Sequence, residues 1–352
     1  MRVRAAPRSR PRTKIRPRHE DSVPAMVVSV DRGRYGCLVD PGGRHERTVT
    51  AMRARELGRR AVAVGDDVEL VGDTTGDSDT LARIVRIAPR RSEVRRSRDD
   101  ATADGQDRVA DTPASGERVL VSNADRLAVV VAVADPPPRT GFIDRCLVAA
   151  YTGGLEPLLV LTKADLADPA PLVAGYADLE LPVLVTRRVP DGRELAAGPL
   201  DELRAAVQGR MTVMIGHSGV GKSTLVNALV PDARRSTGTV SGVGKGRHTS
   251  TSAVALALPG GGWLIDTPGV RSFGLAHVTA DDLLETFDDL LPATVDCPPG
   301  CDHLGPESTA DPTGPVCALD AWVATGHARP GRLASFRRLL LSRSGESTDA
   351  RD

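Results

Sequence analysis

Between residues 26 and 87 the apolar positions fall into five short runs, at 26–30, 35–39, 46–50, 67–71 and 81–87. Val and Ile dominate them, and Gly, Pro and Asp separate them, as in Pro41-Gly42-Gly43 and Val64-Gly65-Asp66. Short strands at this spacing predict a small all-β barrel, and five of them suit the OB type. After residue 117 the pattern changes. Residues 126–134 are almost continuously apolar, as in a parallel strand buried on both faces. Residues 142–151 have helical spacing, 156–161 and 181–186 read as strands, and 199–207 as a helix. Residues 211–215 and 224–230 read as a strand and the helix after it, and 253–258 and 262–266 as a strand pair around Pro259. Alternating strands and helices predict an α/β domain with a mostly parallel sheet. From Asp281 onward Leu283, Leu284, Phe287, Leu290 and Leu291 keep a helical period, and two more helices are expected at 318–324 and 332–341.

This pattern divides the chain into a basic arm (1–24), a barrel (25–92), a linker or disordered insertion (93–117), a nucleotide domain (118–278), a mainly helical domain (279–342) and a polar tail (343–352). Its 352 residues are enough for two or three domains. Net charge is zero and selects no class of partner, but residues 2–18 carry only basic charge. That arm reads either as a nucleic-acid-binding tail or as a solubilising terminus. The basic run Arg90, Arg91, Arg95, Arg96, Arg98 reads as phosphate contacts or as a solvated linker. Tyr35 is the only aromatic residue of the barrel segment, a thin platform for base stacking. No apolar run spans a bilayer, so no membrane association is expected. Cysteines gathered near a histidine indicate metal-like usage in a reducing compartment, and the expected location is cytoplasmic.

Candidate chemistry is concentrated in Gly216-His217-Ser218-Gly219-Val220-Gly221-Lys222-Ser223, which fits the phosphate-loop pattern between a predicted strand and a helix beginning near Thr224. Glycines let successive N–H groups turn toward phosphate oxygens, and the helix N-terminus adds its positive end. Lys222 is expected at the β- and γ-phosphates, and the Ser223 hydroxyl on Mg²⁺. Thr162-Lys163-Ala164-Asp165 follows a strand and resembles the guanine motif Asn-Lys-x-Asp, with Thr162 in place of Asn. The Asp165 carboxylate would accept from guanine N1–H and N2, a donor pair that adenine lacks, so GTP and GDP are the expected ligands. Asp266-Thr267-Pro268-Gly269 fits Asp-x-x-Gly, with Asp266 toward Mg²⁺ and the Gly269 N–H toward the γ-phosphate. Between them, Thr249, with Ser250 second, is the expected hydroxyl of the first switch. A water-orienting Gln is replaced by Val270, which leaves His248 either in that role or as an RNA or packing contact.

Thr162-Lys-Ala-Asp165 precedes the phosphate loop, whereas in a standard small GTPase it comes last. The domain is therefore a circularly permuted P-loop GTPase. Downstream, Cys297, Cys301, His303 and Cys317 can close one tetrahedral structural Zn²⁺ site. A barrel, a permuted GTPase and a Cys/His domain, in that order, resemble the ribosome small-subunit-dependent GTPase A family (RsgA, YjeQ, YloQ). The resemblance covers about residues 25–340. It implies a GTPase that binds the 30S subunit and 16S rRNA late in assembly, alongside other assembly factors, with hydrolysis stimulated by the subunit. A monomer is expected. That family has a wider first Cys gap and a shorter last one, so residues 305–315 read as an inserted loop before Cys317. Two competing classes are an RNA-binding module with a vestigial nucleotide fold and a metabolic nucleotide enzyme. Intact Lys222, Ser223, Asp266 and Asp165 argue against the first, and the permuted guanine motif argues against the second.

Overall fold

The computed structural model describes residues 19–31, 33–58, 60–97, 117–190, 192, 194–231, 253–267, 273, 275, 277–305 and 317–343. All five N-terminal runs are strands: β1 (Val23–Asp31), β2 (Arg34–Val39), β3 (Arg47–Arg53), β4 (Asp67–Gly72) and β5 (Ala82–Ile87). Antiparallel pairings β1–β2, β2–β3, β4–β5 and β1–β4, with parallel β3–β5, close them into a barrel. Strand alternation decides what each residue meets. Ala25 and Val27 point into the barrel core with Cys37, Val49, Leu70 and Ile84. Met26 and Val28, on the other face of β1, join the core of the nucleotide domain. Tyr35 is buried in the barrel core, so it offers no exposed stacking surface.

The segment expected as a linker begins and ends in strands. β6 (Glu93–Ser97) pairs antiparallel with β7 (Glu117–Ser122) in a two-stranded ribbon. Arg-rich composition hid β6, because ribbon strands need little apolar content when one face meets water. Of the basic run, Arg90, Arg91 and Arg95 are paired within the protein, and Arg98 lies outside the described residues. Arg90 donates to buried Asp66 at 2.7 and 3.0 Å, Arg91 pairs with Asp125 and Arg95 with Glu93. Asp66 also accepts from Ser122 Oγ at 2.7 Å, and Asn123 Nδ2 donates to the Gly65 carbonyl at 2.8 Å. Burial works against the Arg90 charge, but the hydrogen bonds and charges of Asp66 and Glu93 more than offset this, so its pKa lies above the usual value. This buried network joins the barrel to the nucleotide domain.

The α/β domain contains β8 (Arg126–Ala132), α1 (Thr140–Thr152), β9 (Glu156–Thr162), α2 (Ala170–Gly175), β10 (Val183–Val185), α3 (Ala197–Val207), β11 (Met211–Ile215), α4 (Lys222–Leu229), β12 (Val254–Ala257) and β13 (Trp263–Asp266). Its strand order is β10-β9-β8-β11-β13-β12, and a pairing of Ser29 with Val254 continues it into β1. Every neighbouring pair in the order β10-β9-β8-β11-β13 is parallel, and β12 is antiparallel. All of β8 is buried. Leu127, Val129 and Val131 face one core, while Ala128, Val130 and Ala132 face the other beneath α3 and α4. A strand covered on both faces carries no polar alternation, which explains the continuous apolar run.

The C-terminal region contributes α5 (Ala280–Leu284), a 3₁₀ turn (Leu291–Asp296), α6 (Ala318–Ala324) and α7 (Pro330–Ser342). The helix expected from Asp281 stops at Leu284. Thr279 caps its start, with a reciprocal bond from Asp282. Phe287 and Leu290 then continue through turns while remaining buried, held by bonds such as Phe287 N–H to the Leu284 carbonyl at 2.8 Å. Leu283, Phe287, Leu319, Phe336 and Leu339 share one core with Leu127, Ile143 and Leu147 of the nucleotide domain. The helical region is therefore packed onto that domain rather than built around a core of its own.

Candidate functional site: the nucleotide edge and a Cys/His cluster

Parallel pairing brings the C-terminal ends of β8, β9, β11 and β13 to one edge of the sheet. In such folds that edge is where ligands bind. The loop after β11 enters α4 through Gly221, whose φ is 92°, a backbone region that favours glycine. Gly216 is set by close approach, since a Cβ there would lie 2.6 Å from the Val130 carbonyl oxygen on β8. Val220 is buried beneath the loop, while Ser218, Gly219 and Ser223 are exposed and His217 and Thr224 half-buried. The Lys222 ammonium lies between the Asp266 carboxylate and the Thr267 carbonyl, the latter at 2.8 Å. Thr267 Oγ1 donates to the Met214 carbonyl at 2.8 Å, which fixes the end of β13 beside β11. Lys222 and Asp266 are thus brought together, with Ser223 next to Lys222 at the start of α4. Asp266 and the Ser223 hydroxyl are oxygen donors suited to a hard cation such as Mg²⁺.

Thr162 stands where the guanine motif usually has Asn. It is buried, and its hydroxyl donates to the Val220 carbonyl at 2.5 Å, pinning the phosphate loop to β9. Lys163 has a φ of 58° and turns its ammonium onto the Asp135 carbonyl, with the Asp135 carboxylate 3.8 Å away. Asp165 is exposed, and its Oδ1 accepts the Arg188 backbone N–H at 3.0 Å. The turn after β10 is a part of the site that sequence reasoning missed. The Thr186 carbonyl accepts from Ala164 N–H at 3.2 Å, so residues 186–188 brace the guanine motif. The position of this turn at the end of a parallel strand was the available signal. His248, Thr249, Ser250, Gly269 and Val270 lie outside the described residues.

The second cluster gathers Cys297, Cys301, His303 and Cys317, with one ligand atom from each lying within 4.8 Å of the others. Cys297 Sγ is 4.0 Å from Cys317 Sγ and 3.6 Å from His303 Nδ1, which is 3.8 Å from Cys317 Sγ. A tetrahedral zinc site with Zn–S bonds of about 2.3 Å has edges of about 3.8 Å, so the cluster is compatible with one zinc ion. Cys317, on the far side of residues 306–316, is brought to the cluster at the N-cap of α6. Its thiol is raised to about 12, first by burial and then by Cys301 and Cys297 beside it. His303 is buried with Nδ1 inward, while Nε2 faces Asp281 on α5 at 3.8 Å. Arg337 of α7 clamps the loop, donating to the His303 carbonyl at 3.0 Å and to Asp320 at 2.8 and 2.7 Å. Four protein donors leave no open coordination position, as in a structural site.

Comparison with known proteins agrees with this fold. A model of the RsgA GTPase family matches residues 88–276, more than half of the chain. Small ribosomal subunit biogenesis GTPase RsgA of Chlorobaculum parvum is 33% identical over 299 residues, covering 84% of this chain and 89% of that one. Its namesake in Pseudomonas aeruginosa is 40% identical over 233 residues, 63% of this chain and 64% of the relative's length. Among solved structures, YjeQ from Thermotoga maritima superposes with a TM-score of 0.60 at 23% identity, covering 92% of this chain and 99% of that one. YloQ, described as a circularly permuted GTPase, gives a TM-score of 0.60 at 19% identity, covering 94% and 98%.

Proposed function

Because the chain belongs to the RsgA GTPase family, we propose that it binds GTP, hydrolyses it to GDP and phosphate, and acts in biogenesis of the small ribosomal subunit. On this reading it binds the 30S subunit and its 16S rRNA as a cytoplasmic monomer, late in maturation and alongside other assembly factors. The subunit stimulates hydrolysis. One observation carries the proposal. Asp165, the loop from Gly216 to Ser223 and Asp266 meet at one sheet edge although the guanine motif comes first in the chain. Among the described residues, no helix is long and apolar enough to cross a membrane.

In this mechanism Asp165 selects guanine and the Lys163 stem covers the base. Loop N–H groups from Gly216 to Thr224 cradle the phosphates, and Lys222 leaves Asp266 to meet the β- and γ-phosphates. Ser223, Thr249 and, through water, Asp266 would hold Mg²⁺, whose charge would be available to the transferred phosphoryl group. Gly269 N–H reads the γ-phosphate, and His248 orients the attacking water, since Val270 has no polar atom for it. Cys297, Cys301, His303 and Cys317 would hold Zn²⁺ in a structural role.

The test is phosphate release from GTP, measured alone, with purified 30S subunits and with 50S subunits. Slow release that rises at least about tenfold with 30S subunits alone is expected, a change worth about 1.4 kcal/mol of barrier. Equal rates in all three samples would overturn the subunit-dependent reading.

A further inference from the structure

The guanine motif is braced by the turn after β10, and that turn rests on a short strand. Asp165 accepts from Arg188 N–H, and Ala164 N–H donates to the Thr186 carbonyl. β10 has only three residues, all half-buried, and among the described residues it pairs with β9 alone. The chain just before it meets a second support from far along the sequence. Arg338 of α7 donates to the Gly175 carbonyl at 3.1 Å, and Arg332 to the Asp178 carbonyl at 3.3 Å. Arg329, at the N-cap of α7, pairs with Glu180. Two of these arginines are themselves fixed. The Arg338 guanidinium lies over the Tyr176 ring, 4.9 Å from its centroid, and its Nε is 3.3 Å from the carboxylate of Asp144 on α1. Asp144 is 1% exposed and Tyr176 2%. Breaking so desolvated a pair would leave a charge buried alone, so its geometry is held. Arg332 lies 4.4 Å over the Phe287 ring and donates from Nε to Asp289 at 3.1 Å. A rigid planar fork lets each guanidinium serve these partners and a backbone carbonyl together, which a lysine ammonium does less well.

We infer that Arg332 and Arg338 are positioning residues for guanine recognition, acting on Asp165 through the segment that α7 clasps. The inference rests on the GTPase reading above. By fixing Gly175 and Asp178 they fix where β10 begins. Register does the rest: Val183 to Val185 pair with Leu159 to Leu161, and Thr186 N–H then reaches the Leu161 carbonyl at 2.7 Å. That sets Thr186 and Arg188 beside the motif, so the Asp165 carboxylate is already turned when guanine arrives. A base with fewer donors draws less from that alignment. Inosine, which keeps N1–H and lacks the exocyclic amine, is such a base. Neither arginine touches the ligand.

Competition of GDP and inosine diphosphate against a fluorescent GDP, on the full-length protein, tests this. Wild-type protein is expected to prefer GDP about tenfold or more, the value of a hydrogen bond to a charged group. Arg332→Met and Arg338→Met keep an unbranched stem and remove the fork. Each is expected to cut that preference at least about twofold, as for residues along a connected network, with the larger loss on GDP. In an Asp165→Ala background the same changes should alter GDP affinity by less than about twofold, because they act through that carboxylate. Equal weakening of both nucleotides, or losses that simply add to that of Asp165→Ala, would overturn the inference. Loss of stability alone would weaken both nucleotides alike and would not move the preference. Should Arg338→Met fail to fold with Asp144 left buried, Arg332→Met leaves that pair in place and decides the question. Wild-type protein that binds neither nucleotide would sink the GTPase reading, and the inference with it.

Discussion

The nucleotide edge and the Cys/His cluster are both assembled from loops, but they reach their geometry in different ways. At the nucleotide edge, parallel strands do the positioning. Thr162 faces Ala132 across β8–β9, and Asp266 faces Met214 across β11–β13, so ladder register fixes where each motif begins. Short side chains then complete the site, as Thr162 does on the Val220 carbonyl. At the cluster none of the described strands contributes a ligand. Three ligands lie on one loop, from Cys297 to His303, and the fourth arrives from the start of α6 across the segment 306–316. Here the local scaffold is the Arg337 clamp and the edge of the shared core. A cation among the four donors would add the cohesion that backbone pairing supplies at the other site. The difference teaches that the first site is a property of the sheet, while the second is arranged as a cluster that an ion would hold together.

The largest effect should come from removing that ion. Cys301→Ser, or chelation of wild-type protein, is expected to release zinc and lower the melting temperature by more than about 10 °C, since structural zinc contributes roughly 10 kcal/mol or more in small domains. Metal content by mass spectrometry and a calorimetric melt check it. GDP affinity that falls in parallel would show that the two sites are coupled through their common core.

Next in size is Lys222→Ala. Lys222 is the cation held between Asp266 and the Thr267 carbonyl, and its loss should weaken GTP binding by at least about a hundredfold, or roughly 3 kcal/mol for one partner of a desolvated charge contact. Calorimetric titration measures it. A melting temperature close to wild type would confirm that the sheet, not the ligand contact, holds this site.

Thr162→Val should have the smallest effect. It removes a hydroxyl and leaves the buried Val220 carbonyl without that donor, a cost of about 1–3 kcal/mol. Weaker GTP binding with unchanged guanine-over-adenine preference is expected, because Asp165 remains. A loss of base preference would mean that Thr162 also contributes to reading the base, which would blur the division between the strand that braces and the carboxylate that selects.

The order of elements and the motifs of the candidate site were legible because period and spacing are local. Five Val/Ile-rich runs became β1 to β5, the apolar run at 126–134 became the twice-buried β8, and Gly216 to Gly221 formed the predicted loop between β11 and α4, with Lys222 and Ser223 opening the helix. Arg95 and Arg96 concealed β6, because pairing with β7 is a non-local property of two segments about twenty residues apart. Leu283 to Leu291 kept a helical period without a continuous helix, since turns can also deliver Phe287 and Leu290 to a core.

By itself, then, the sequence determined the chemistry: a phosphate loop, a carboxylate suited to guanine, an acidic residue after a strand, and three thiols with an imidazole. Tertiary structure decided their company. It set Thr162 against Val220, brought Arg188 N–H to Asp165, returned Cys317 to Cys297, and packed the Phe142 ring in tilted contact with both His217 and Phe273. Motif residues are specified by what a ligand requires of single side chains over a few positions. Their neighbours come from sheet register and core packing, which join residues scores of positions apart and leave no periodic trace along the chain.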